Sequence, residues 1–194
     1  MLSIYEINKN SKKRVLLIHG LFSSSGFWLP YIEKLKGFNL LILNIDYEQV
    51  LNCPQKKINM LFKKISEIHD IEVIVAHSFG TVISNHIQID IPRINICPIL
   101  NAKKINQKKF TRLISEKTRI NFDQVNTNIN LMDKFLVNTK CLASKKNIFN
   151  FYPNNDNFFE YSIKKSKNNI LFKGDHFDIL DAVYKTINFK ILRL

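Results

Sequence analysis

The stretch from Glu72 to Gly80 reads E-V-I-V-A-H-S-F-G, and it sets Ser78 two residues from Ala76 on one side and two from Gly80 on the other. A serine held on a sharp strand-to-helix turn needs that spacing. Bulky side chains at 76 and 80 would collide, whereas small ones leave Oγ clear of a strained backbone. A serine so presented can attack an acyl carbon, but its hydroxyl is a weak nucleophile unless an imidazole takes the proton. Two further features, His19-Gly20 and Gly174-Asp175-His176, lie where such chemistry would need them.

The elements that must position these residues follow from the apolar pattern. Ser3 to Ile7 and Arg14 to Ile18 read as strands joined through the polar turn Asn8-Lys9-Asn10-Ser11, a hairpin pattern. Val15 to Ile18 is apolar throughout, as a strand covered on both faces must be. Ser23 to Ser25 offer caps for a helix reaching about Lys36, with Trp28, Tyr31, Ile32 and Leu35 on one stripe. A buried strand spans Asn39 to Ile45, and after Pro54 the residues Ile58, Leu61, Phe62, Ile65 and Ile68 keep helical spacing. Beyond the Ser78 turn, a helix over Thr81 to Ile89 and a strand over Ile94 to Leu100 are expected, with Pro98 hinting at an edge or a bulge. Ile148 to Tyr152 and Ile170 to Phe172 complete the strands, with helices expected over Asn157 to Lys165 and Asp178 to Phe189. Strands alternating with helices imply an α/β fold, a mostly parallel sheet with helices on both faces. The segment Lys103 to Lys146 reads as a weakly helical, basic lid inserted between strands of a single domain spanning residues 1–194.

With the His-Gly strand end, the Ser78 turn and the terminal Gly-Asp-His in that order, the chain resembles the α/β-hydrolases over nearly its whole length outside the lid. That resemblance implies Ser78 as nucleophile and His176 as general base, in the family's order of Ser, acid, His. The acid has to accept a hydrogen bond from the far imidazole nitrogen, so it belongs on a loop after another strand. Asp156, in Tyr152-Pro153-Asn154-Asn155-Asp156, meets that condition, and Asp133 inside the lid is the competitor. Asp175 and Asp178 are too close to His176 in sequence to turn back onto its ring, and Asp46 reads as a turn residue. For the oxyanion, the backbone N–H of Phe79 is one donor, and by resemblance Leu21 supplies the other. His19 and His77 then read as bracing residues, not participants.

Composition narrows the alternatives. Of 194 residues, 45% are apolar, enough for one good core and short for two. No run reaches the length of a membrane span and the N-terminus lacks a secretory pattern, so a cytoplasmic protein is expected. The three cysteines, Cys53, Cys97 and Cys141, have no metal-ligand spacing and read as reduced thiols. Gly20, Gly26 and Gly37 are too dispersed for a phosphate-binding loop, so neither a metal nor a cofactor is expected. The formal charge of +13 would suit a nucleic-acid binder, but no reader motif accompanies it, and Lys, Asn and Ile richness also follows from AT-rich coding.

The charge is concentrated: Lys103 to Lys146 holds 11 Lys and Arg against Glu116, Asp123 and Asp133, a net +8. A basic lid over a serine site is similar to that of the pimeloyl-acyl-carrier-protein methyl ester esterases of biotin synthesis. The resemblance implies an acidic acyl carrier protein docked by Lys103, Lys104, Lys108, Lys109, Arg112, Lys117 and Arg119. Phe110, Leu113, Ile114, Phe122 and Leu131 would line an acyl channel or seat the lid. Small-molecule carboxylesterases and thioesterases remain open on the same residues, as does a non-catalytic binding module on the same fold.

Overall fold

The computed structural model describes residues 2–87, 89–100, 102–104, 106–137 and 147–188. Nine strands occur among them: β1 (Leu2–Ile7), β2 (Arg14–Ile18), β3 (Asn39–Ile45), β4 (Val73–His77), β5 (Arg93–Ile96), β6 (Ala102–Lys104), β7 (Ile148–Pro153), β8 (Phe159–Tyr161) and β9 (Asn169–Phe172). Seven form one sheet in the order β1-β3-β2-β4-β5-β7-β9, and β6 pairs with β8 in a small antiparallel ribbon. Only β1 runs against its neighbour in the large sheet; the other pairs are parallel. Parallel neighbours need crossovers. A 3-10 helix (Ser25–Leu35), α1 (Tyr47–Leu51), α2 (Gln55–His69), α3 (Gly80–Ser84), α4 (Gln107–Thr118) and α5 (Phe122–Val137) lie in these connections, and α6 (Leu180–Asn188) follows the last strand.

Alternation along the strands divides the core into two layers. Leu16, Ile18, Leu41, Leu43, Ile74 and Ala76 pack with Ile58, Phe62 and Ile65 of α2, Val82 and Ile83 of α3, and Phe110, Ile114, Val125 and Ile129 of α4 and α5. Val15, Leu17, Leu40, Ile42, Val73 and Val75 face the other way, toward Trp28, Tyr31 and Leu35 of the 3-10 helix and Ala182 and Val183 of α6. The mostly parallel sheet covered on both faces is thus the one the strand pattern implied.

Three local expectations are corrected. β1 and β2 do not form a hairpin: β1 pairs with β3, and β2 lies between β3 and β4. An all-apolar β2 needs a partner on each side, while β1 alternates between half-buried and exposed positions over Leu2–Tyr5 and suits the edge. β5 is interior, and Pro98 falls outside it because Cys97 turns into the left-handed region at φ 52° and ends the strand. Phe159–Tyr161 is a strand, not part of a helix, since the Asp156 carboxylate caps the N–H groups of Phe158 and Phe159 and β6 supplies a pairing edge.

A ladder of side-chain amides crosses the sheet near its carboxyl-terminal strands. Asn95 Nδ2 donates to Asn150 Oδ1 at 3.2 Å, and Asn150 Nδ2 donates to Asn169 Oδ1 at 3.1 Å. These residues are register partners on β5, β7 and β9. Asn169 ends the ladder by donating to the Lys164 carbonyl at 2.8 Å.

Candidate active site

The turn after β4 is built as its residue sizes demand. Ser78 sits at φ 52°, a conformation that strains any residue with a Cβ. Its N–H donates to the Ile96 carbonyl at 2.9 Å, and Thr81 Oγ1 donates to its carbonyl at 2.7 Å, so backbone bonds on both sides hold the strained residue. Gly80 opens α3 against β2: a Cβ there would stand 2.6 Å from the His19 carbonyl oxygen and 2.7 Å from that of Ile18. Gly20 is under the same restriction, because its Cβ would meet the Ser78 Cβ at 2.9 Å.

Ser78 Oγ lies 2.8 Å from His176 Nε2, and His176 Nδ1 lies 2.9 Å from Asp156 Oδ2. The His176 and Asp156 side chains are 4% and 2% exposed, so water does not compete for these bonds. A carboxylate only accepts, which places the imidazole proton on Nδ1 and leaves Nε2 to accept from the Ser78 hydroxyl. Asp156 is held by three other donors as well: the N–H groups of Phe158 and Phe159 on Oδ1, and Tyr161 Oη on Oδ2 at 2.6 Å. Burial alone would disfavour its charge. The hydrogen bond and charge of His176, with Tyr161 and Phe158, outweigh that and hold the carboxyl below its usual range. Asp133, the competing acid, is engaged elsewhere, on Lys104 Nζ at 2.6 Å.

Tyr161 was not anticipated. A residue placed five positions after Asp156 on a helix would point elsewhere, and only the change from helix to strand brings its hydroxyl to the carboxylate. Burial and the neighbouring negative groups push this phenol far above its ordinary value, so it stays a donor. His77 is likewise more closely tied to the site than a generic brace. Its Nε2 donates to the His176 carbonyl at 2.7 Å and its ring stacks on Phe27 at 4.4 Å. Burial, helped by repulsion from His176, drives its pKa down to about 3, so the ring is neutral. His19 stays within the bracing role: its Nε2 accepts from the Ile45 N–H at 3.1 Å, and burial lowers its pKa to about 4.

Cys97, Asp156 and His176 bring a thiol, a carboxylate and a ring nitrogen within 4.8 Å of one another, the one metal-type cluster among the described residues. The carboxylate and Nδ1 already satisfy each other. Burial pushes the Cys97 thiol up, away from the thiolate that a metal requires. Cys97 is a free, buried thiol, and Cys141 lies outside the described residues.

A cavity of about 330 Å³ opens beside Ser78. Leu21 and Phe79 both line it, with Phe22, Phe27, Ile99 and Met132. Of the segment expected to roof Ser78, Phe110 and Ile114 reach the cavity, whereas Leu113 and Leu131 are half-buried elsewhere and Phe122 is 43% exposed. Met132, unmarked in the sequence, takes a place in the wall. The basic residues divide. Lys103, Lys108, Lys109 and Arg119 are exposed; Lys104 is paired with Asp133, Arg112 with Glu116 at 2.9 Å, and Lys117 alone of the seven reaches the cavity. Residues 105 and 138–146 of the basic segment lie outside the described set. No helix among the described residues is long and apolar enough to cross a membrane.

No protein-family profile matches the sequence, and no curated protein does. Solved structures do. The NocB thioesterase domain, in covalent complex with a fluorophosphonate nocardicin G analogue, superposes with a TM-score of 0.68 at 10% identity, covering 96% of this chain and 98% of that one. A putative aryl esterase from Burkholderia cenocepacia gives 0.66 at 12% identity over 99% and 93% of the two chains. The E219G mutant of the N-acyl homoserine lactonase AidH, complexed with N-hexanoyl homoserine, gives 0.64 at 13% identity over 100% and 97%. At such identities the likeness speaks for architecture, and the strand order and crossovers agree with it: the chain has the α/β-hydrolase fold.

Proposed function

We propose that the protein is a serine hydrolase that cleaves a carboxylic ester through an acyl-enzyme. The observation that carries this reading is the unbroken hydrogen-bonded series from Ser78 through His176 to Asp156, ending at a left-handed serine beside an apolar cavity. In the first step His176 Nε2 takes the Ser78 proton as Oγ attacks the ester carbon. The Nδ1 proton stays between imidazole and Asp156, whose charge offsets that of the imidazolium. The oxyanion is assigned to the backbone N–H groups of Phe79 and Leu21; Phe79 precedes the first turn of α3, where N–H groups have no intrahelical acceptor. The departing alcohol takes the proton from Nε2. Water then loses a proton to Nε2, attacks the acyl-enzyme carbon, and Ser78 regains its hydrogen as the acid leaves.

The preferred substrate in this reading is an acyl ester presented by an acidic carrier protein, a pimeloyl-type methyl ester being the candidate, with residues 103–146 acting as a lid on a single domain. Support comes from exposed Lys103, Lys108, Lys109 and Arg119 on the segment that also brings Phe110 and Ile114 to the cavity. Lys104 and Arg112 contribute less to docking here, because each already has a carboxylate. The names of the structural neighbours, thioesterase, esterase and lactonase, fit acyl transfer to water in general.

A fluorophosphonate probe tests the core of the reading: it should label the wild type at Ser78 and leave Ser78→Ala unlabelled. Unlabelled wild-type protein that is folded and turns over no p-nitrophenyl ester would leave a binding module as the function. Charge reversal at Lys108 and Lys109 tests the carrier. It should slow turnover of a carrier-bound ester and spare p-nitrophenyl acetate, with equal loss on both pointing to a lid that has come unpacked.

A further inference from the structure

The wall of the cavity is apolar apart from the catalytic groups and a few short polar side chains, yet it contains one permanent charge. Among the described residues lining it, Lys117 is the only lysine, arginine or carboxylate. Its Nζ rests 4.5 Å above the ring centroid of Phe177, which follows His176 in the chain. Phe110, Ile114 and Thr118 of the same helix also line the cavity, at spacings that keep them on one face with Lys117. Lys117 is itself exposed, so it contributes to the wall and keeps contact with water, as long cationic side chains do on apolar surfaces. No carboxylate among the described residues stands within ion-pair distance of it. Glu116 pairs with Arg112 and Asp133 with Lys104, and Lys117 makes no ion pair among the described residues.

A cation at the border of a low-dielectric cavity favours a negatively charged occupant over a neutral one of the same shape. We propose that Lys117 is a specificity-determining residue that binds an anionic group of the substrate, so that the preferred esters carry a carboxylate or phosphate remote from the scissile bond. This deepens the serine-hydrolase reading and rests on it for the placement of the scissile bond at Ser78. The anion has two possible sources, the far end of the acyl chain or a phosphate on the leaving group, and paired substrates separate them.

The first pair is mono-p-nitrophenyl suberate against its neutral methyl ester; the second is 1-hexanoylglycerol 3-phosphate against 1-hexanoylglycerol. In at least one pair, wild-type kcat/KM should favour the anion by about tenfold or more, the range of a hydrogen bond to a charged group. Lys117→Gln should abolish that preference by slowing the anionic substrate alone, Lys117→Glu should reverse it, and added salt should shrink it. Unchanged rates on the neutral partner report an intact fold and relay. The same contrast is read without turnover by titrating Ser78→Ala with monomethyl suberate and with dimethyl suberate. Charge preference there in a wild type that hydrolyses nothing would sink the hydrolase reading and support the Lys117 site. Equal treatment of charged and neutral partners in both pairs and in the titration, or an equal loss on both in Lys117→Gln, would overturn the proposal.

Discussion

Replacing Asp156 with Asn changes one atom and should remove nearly all activity. Oδ1 accepts from the N–H groups of Phe158 and Phe159 at 2.8 and 3.0 Å, so an amide must keep its carbonyl oxygen there. Its NH2 then takes the place of Oδ2, where His176 Nδ1 stands at 2.9 Å and Tyr161 Oη at 2.6 Å. The phenol can rotate and accept. The imidazole has to give up its Nδ1 proton, carry it on Nε2 instead, and so present a donor to Ser78 in place of an acceptor. The wrong tautomer lowers kcat by about 10⁴ with little change in KM. Stability should fall less: losing one charge-assisted pair costs about 1.5–3 kcal/mol, which in a chain of this size lowers Tm by roughly 3–12 °C. Steady-state hydrolysis of p-nitrophenyl butyrate, with a thermal melt on the same sample, gives both values. If Asp156→Asn stays within tenfold of wild type while Asp133→Asn, whose carboxylate lies on Lys104, loses activity, the assignment of the acid is wrong.

Tyr161→Phe removes one of the two donors on Oδ2 and leaves His176 in place, so kcat should drop by about tenfold, the size of one hydrogen bond to a charge, and a drop approaching that of Asp156→Asn would contradict this ordering. Gly80→Ala places a methyl against two carbonyl oxygens that belong to β2 and its end, at 2.6 and 2.7 Å, and should lower Tm by roughly 2–12 °C or yield insoluble protein, since overpacking costs about 1–3 kcal/mol; a melt like that of wild type would refute the close packing. Acid should destabilise the fold well before the carboxylates titrate. His19 and His86 are lowered by burial to about 4 and His77 to about 3, against 6.5 unfolded, so below 6.5 the unfolded chain binds protons the native state refuses. Stability therefore falls as pH drops from 6.5 toward 4, by up to about 1.4 kcal/mol per pH unit for each histidine, and Asp156, lowered in the fold, adds a further loss as pH falls below its unfolded value of 3.8. Urea unfolding at pH 7 and pH 5 measures this, and equal midpoints would show that the three rings are not buried neutral.

The sequence made the Ser78 turn legible because sterics there leave few choices: a serine at positive φ, with Gly80 under the His19 carbonyl, admits only small neighbours. Strands such as β2 and β3 were legible for a related reason, since burial on both faces turns them into unbroken apolar runs. The pairing of β1 was not. Its residues alternate equally well beside β2 or β3, and only the demand of β2 for two neighbours decides between them. Tyr161 was hidden because Phe158-Phe159-Glu160-Tyr161 carries no distinctive periodicity, and its conformation depends on the pairing edge offered by Lys103, nearly sixty residues earlier. Charge counting also misled in part. The excess between Lys103 and Lys146 treats each cation alike, whereas the fold matches Lys104 and Arg112 with carboxylates and turns Lys117 toward the cavity.

The amide ladder bears on how reliably this sheet assembles. β5, β7 and β9 are rich in Ile and Phe, and apolar contacts alone discriminate poorly between the native pairing and one shifted along the strand. A slip of two residues keeps every side chain on its own face, yet sets Asn95 opposite Ile148 or Tyr152 and leaves its buried amide nitrogen without the Asn150 acceptor, at about 1–3 kcal/mol for an orphaned buried group. Asn95, Asn150 and Asn169 thus act as a proofreading device during folding, penalising misregistered chains that the greasy surfaces would accept. What they check is also what the proposed hydrolysis needs, since β7 leads to Asp156 and β9 to His176.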